Sequence, residues 1–63
     1  MSLVWFTDAQ TENKVAINPA HVVAVFTAIE GPMEGKTIIS ALNGSIPVQE
    51  DVLSAVSAMN GDS

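Results

Sequence analysis

The sequence has no cysteine and, among 63 residues, only two basic side chains, Lys14 and Lys36. The first absence excludes disulfides and thiolate metal sites, the usual staples of a small domain. The second, with a formal net charge of −5, removes the clustered Lys and Arg that grip nucleic-acid phosphates or an anionic membrane surface. Aromatic residues are scarce too: Trp5, Phe6 and Phe26 are the whole set. No run approaches the roughly 20 apolar residues of a membrane span. The N-terminal residues lack the basic segment and long apolar core of a secretory signal, so a cytoplasmic protein is expected.

What is present is apolar. Hydrophobic residues make up 48% and charged ones 14%, the latter well below the roughly 25% usual in soluble domains. A chain of this length buries only about 60% of its unfolded surface. With neither disulfide nor metal to help, self-association is the expected source of further stability, and the first expected partner is a second copy of the chain.

Residues 1–63 are expected to form one small α+β domain. Residues 3–7, "LVWFT", have strand character, and the polar "DAQTENK" after them is a turn or loop. Residues 15–17 return antiparallel. Asn18-Pro19 then matches a helix start, with Asn as cap and Pro at the first helical position, for a helix of one turn. Residues 22–29 are dense in β-branched and aromatic side chains and are expected to form the central strand. A Gly/Pro loop spans residues 30–35 and a fourth strand residues 36–42.

Asn43-Gly44 carries the hairpin signal of a type I′ turn, whose two central residues both need positive φ. Residues 45–48 form the returning strand, and Pro47, lacking an amide donor, places it at an edge or cuts it short. From residue 49 the apolar period lengthens: Val52, Leu53, Val56 and Met59 form one stripe of an amphipathic helix over about residues 49–60. Glu50 and Asp51 fall in its first turn, where negative charge complements the helix dipole. Gly61, just past the end, is the stop. The expected fold is a small antiparallel five-stranded meander followed by one C-terminal amphipathic helix. In residues 22–29 and 37–42 apolar side chains occur at both parities, so both faces of the sheet call for burial while one helix covers only one.

The segments "INPAHVVAV" and "KTIISALNGSIPVQEDVLSAV", in this order, resemble the small flagellar and swarming-motility protein family of short bacterial and phage-encoded chains. The likeness rests on Asn18-Pro19, Val22 with Val25, residues 37–39, Asn43-Gly44, Val48, Glu50 and the apolar positions Val52, Leu53 and Val56, and covers roughly residues 14–59. It implies a small cytosolic β-rich protein without enzyme activity. The longer loop "AIEGPMEGK" and the aromatic bulk of "LVWF" depart from the family pattern and fit a phage or mobile-element relative better than a flagellar role. A fainter likeness of "NGSIPVQEDVLSAV" to LytTR-type DNA-binding domains lacks the basic residues that DNA contact needs.

Catalytic chemistry finds little material. The one imidazole is His21, at a strand start, and no serine can be paired with it from spacing alone. One His without Cys does not make a zinc site, and the carboxylates follow no calcium-loop pattern. No catalytic residue, metal or cofactor is therefore assigned. The stretch "GPMEGKT" falls short of the full phosphate-loop spacing but gathers Gly35, Lys36 and Thr37, a set able to offer backbone N–H groups and one cation to an anion. It is equally ordinary turn chemistry followed by a solvated lysine. Trp5, Phe6 and Phe26 are either core or surfaces for base stacking or partner docking.

Two functions are expected from these features. The first is a non-enzymatic homo-oligomer that sequesters a small anionic nucleotide-type signal at subunit interfaces, as a phage-encoded counter-defence sponge would. Its candidate ligand-binding residues are Trp5, His21, Phe26, Gly35, Lys36 and Thr37. The second is a protein-protein interaction adaptor, either a motility accessory or an inhibitor of a host protein.

Overall fold

A computed structural model describes residues 3–61; the outermost positions of the expected 1–63 domain lie outside the described residues. Five antiparallel strands precede one C-terminal helix: β1 (Val4–Thr7), β2 (Lys14–Ile17), β3 (Val22–Thr27), β4 (Thr37–Ala41), β5 (Gly44–Val48) and α1 (Val52–Met59). This is the α+β architecture expected from the sequence. The strands divide into a β1–β2 hairpin and a three-stranded β3-β4-β5 meander. The hairpin joins the meander at one corner, where Asp8 bridges to Val48. There the Gln49 amide donates to Thr7 C=O (2.8 Å) and the Ala9 amide to Pro47 C=O (2.9 Å).

Each local feature has a sequence cause. The Asp8 carboxylate accepts from the amides of Gln10 (2.7 Å) and Thr11 (3.1 Å), folding the β1–β2 connection into an Asx turn. Asn18 caps a 3₁₀ turn at Pro19–His21, its side chain accepting from the Ala20 amide. Pro47 stands opposite Ile38 on β5, the strand at one side of the meander. There its missing N–H leaves the β4–β5 pairing intact, as its position in the sequence required.

Three expectations are corrected. Residues 22–29 were expected to be the central strand, but β4 is the middle strand and β3 lies at the edge. The density of β-branched side chains in β3 signals strand, not burial: the fully buried residues of the meander, Thr37, Ile39 and Val48, lie on β4 and β5. The β4–β5 turn is also one residue out of frame. Ala41 pairs with Gly44, so Leu42 and Asn43 form the loop; Gly44 has positive φ (136°) and Asn43 does not, which rules out the type I′ turn. This register puts Ile39 beside Ile46 and Thr37 beside Val48, and a one-residue slip would turn the buried set outward.

The helix is the third correction. Its one fully buried residue is Ala55, with Val52 and Met59 half-buried on the same side, whereas Leu53 is 80% exposed and Val56 also faces solvent. The small Ala55 lets the helix backbone approach a core built from Phe6, Ile39 and Val48. The bulkier Leu53 and Val56 are left on the outer surface. Among the described residues no helix is long and apolar enough to cross a membrane.

Candidate functional site

The six expected ligand-binding residues do not form one site within a protomer. Gly35, Lys36 and Thr37 lie at one end of β4, whereas His21 lies beyond its other end, where the Leu42 amide donates to His21 C=O (2.9 Å). A five-residue strand separates the two groups by about 13 Å or more. Trp5 belongs to the other sheet, paired with Ala16 and exposed. Phe26 stands exposed on edge strand β3, opposite Ile38.

The Gly/Lys/Thr loop is self-contained. The Glu34 amide donates to Gly31 C=O (3.1 Å), the Gly35 amide to Ala28 C=O (2.9 Å) and the Lys36 amide to Met33 C=O (2.9 Å). The N–H groups that would cradle an anion are thus turned inward. Gly31 and Gly35 adopt positive φ (84° and 85°) to close this loop. Thr37 is 4% exposed and paired on both sides, with Thr27 and Val48. Of this trio only the Lys36 side chain offers a functional group to solvent.

A concavity of about 430 Å³ opens at the His21 end, between β2 and the β4–β5 hairpin. Ile17, Ile39 and Ile46 belong to its apolar wall, and Asn18, His21 and Asn43 to its polar part. The Asn18 side-chain oxygen is committed to the Ala20 amide (3.0 Å). The His21–Leu42 backbone bond ties the 3₁₀ turn to the β4–β5 loop, fixing the spacing between the two polar segments. Of the expected site residues His21 alone lines this space. Asn18 and Asn43 were legible only as a helix cap and a turn residue, because their convergence depends on strand pairing across 25 positions of chain.

Electrostatics concentrate at the β5–α1 junction. Asp51 is the N-cap of α1 and accepts from the Ser54 amide (2.8 Å). The hydrogen bonds from the Ser54 side chain and amide hold the Asp51 carboxyl below its ordinary value of 3.8. Glu50, expected in the first helical turn, instead reaches back to β1 and receives the Thr7 amide and hydroxyl. No set of three His, Asp or Glu side chains gathers to hold a metal ion among the described residues. No protein-family model matches the chain, and no significant match is found among curated proteins or solved structures.

Proposed function

We propose that the protein is a non-enzymatic binding module that works as a homo-oligomer, assembled by pairing β3 of one copy with β3 of another. One observation carries this reading. β3 is an edge strand of sequence VVAVFT, without charge, proline or glycine; its register is irregular between Val22 and Ala24, but Ala24–Thr27 pair regularly with β4 and carry none of the charges or prolines by which edge strands avoid pairing. Among the described residues, none of the backbone hydrogen bonds outside strand pairing involves Val23–Thr27, and Val23 and Phe26 are 68% and 48% exposed. An antiparallel β3–β3 pair about a two-fold axis is self-complementary and joins two meanders into one six-stranded sheet. It also adds apolar burial to a core whose fully buried apolar residues are Phe6, Ile39, Val48 and Ala55. The low charge and the likeness to short motility-family chains agree with an interaction role.

Capture of a small ligand, the sponge-like role expected from the sequence, suits such an assembly better than turnover. His21 is exposed and its imidazole makes no hydrogen bond to a side chain among the described residues, so it lacks the oriented partner of a nucleophile–base pair. Native mass spectrometry of protein purified without denaturation tests the assembly and reports any retained ligand. A defined dimer or higher even-numbered oligomer is expected, with Phe26→Lys and Val23→Lys giving folded monomers. A wild-type monomer at every accessible concentration overturns the reading. The exposed Leu53 and Val56 on α1 favour a second reading, the adaptor, for which a stoichiometric protein partner lost on Leu53→Asp is the test.

A further inference from the structure

The concavity beside His21 has a composition that selects its occupant. None of its lining residues is Asp, Glu, Lys or Arg. The lining therefore supplies no acidic or strongly basic counter-charge, so it holds nothing that favours an anion or a cation over a neutral compound. The apolar side offers the half-buried Ile17 and Ile46, backed by the buried Ile39, for dispersion contact and no hydrogen bonds. The polar part supplies neutral donors and acceptors. With its oxygen held by Ala20, the Asn18 amide nitrogen has no protein partner among the described residues, and the side chains of His21 and Asn43 are likewise uncommitted. The volume lies within the roughly 300–1,000 Å³ of small-molecule sites.

We propose that this concavity binds a neutral, flat, hydrogen-bonding ring compound of nucleobase or nucleoside type. Its ring face lies on the isoleucine side and its polar edge meets Asn18, His21 and Asn43. The inference deepens the reading of the chain as a small-ligand binder, but does not depend on its self-association, because none of Val22–Thr27 lines the concavity. It differs from the anion site at Lys36, which belongs to the other end of β4.

The test is a titration of isotope-labelled protein by NMR with adenosine, guanosine, uridine and nicotinamide, alongside the 5′-monophosphates of the three nucleosides. At least one neutral compound is expected to give saturable shifts confined to the amides of residues 17, 18, 20, 21 and 41–46, with its monophosphate binding no more tightly. His21→Ala, a change at an exposed residue, is expected to weaken binding about 2- to 10-fold through one lost hydrogen bond. Ala41→Leu, which fills the concavity, is expected to abolish it. Resonances of β3 should respond to protein concentration and not to the ligand, so failure of self-association and failure of this site give different spectra. The proposal is overturned if no neutral compound gives saturable shifts, or if His21→Ala binds as wild type. It is also overturned if a monophosphate binds at least tenfold more tightly and loses that advantage on Lys36→Ala.

Discussion

The Thr7 amide donates to both carboxylate oxygens of Glu50, at 3.0 and 3.1 Å, and the Thr7 hydroxyl donates to one of them at 3.2 Å. The Lys14 ammonium in turn donates to that hydroxyl (3.2 Å), and Thr7 C=O accepts from the Gln49 amide (2.8 Å). Every polar group of Thr7 is therefore engaged, across a separation of 43 residues from Glu50. The two sheets meet at this corner, so Glu50 closes the end of β1 against the β5–α1 junction.

Removing the carboxylate leaves the half-buried Thr7 amide without its acceptor. Glu50→Ala is expected to lower unfolding stability by about 1–3 kcal/mol, the usual cost of an orphaned donor. Glu50→Gln keeps one acceptor oxygen and should fall between Ala and wild type. Urea unfolding followed by circular dichroism checks the order. A Glu50→Ala midpoint equal to wild type would mean that the contact does not stabilise the corner.

Asp51 gives the fold a pH dependence whose sign is fixed. Its folded carboxyl is held below 3.8 by the Ser54 hydrogen bonds, whereas the unfolded chain titrates at the ordinary value. The folded state thus binds the proton less readily. The contribution is fully present above 3.8 and is lost as pH falls through the lower folded value. Asp51→Asn retains a capping oxygen but no titrating group. Urea midpoints measured between neutral pH and about pH 2 should fall less steeply on acidification for this variant than for wild type.

Local chemistry was the legible part of the fold. Asn18-Pro19 and the β-branched runs each encode their structure within a few residues, and each has the conformation its side chains favour; Asp51, expected inside the first helical turn, instead caps α1 from the position before it. The β3 position, the helix face and the role of Glu50 were not legible, because each is decided by a partner far away in sequence. Nothing within VVAVFT distinguishes a middle strand from an edge strand. Similarly, Ala55 is small rather than strongly apolar, so it ranks low in any pattern of hydrophobic residues although it sits at 0% exposure. For the candidate site the same division holds. His21 was marked by being the one imidazole, while Asn18 and Asn43 join it through the pairing of Val22 with Ala41.

The helix face makes an unusual pair of outcomes. Ala55→Leu inserts three carbons against Phe6, Ile39 and Val48 and is expected to destabilise by about 1–3 kcal/mol through overpacking. Leu53→Ala, which removes the larger side chain, is expected to change stability by no more than about 0.5 kcal/mol, since that residue is exposed. Thermal and urea unfolding of the two single variants read this directly. The reverse ranking would restore the Leu53–Val56 stripe as the packed face.

A last position tests strain against charge. Glu12, in the β1–β2 connection, has φ of 64°, the one positive value among described residues other than glycine. Its amide donates to Asp8 C=O (2.9 Å), which holds the conformation in place. A side chain in the left-handed region costs about 1–2 kcal/mol, while glycine there brings back about 0.4–1 kcal/mol of extra unfolded-state entropy. Glu12→Gly is therefore expected to stabilise the protein by about 0.5–1 kcal/mol, the difference between these two effects. Glu12→Ala removes the same charge but keeps the Cβ, so it should gain almost nothing. Equal stabilisation by both variants, measured by urea unfolding at neutral pH, would assign the effect to relief of the −5 net charge and not to the backbone.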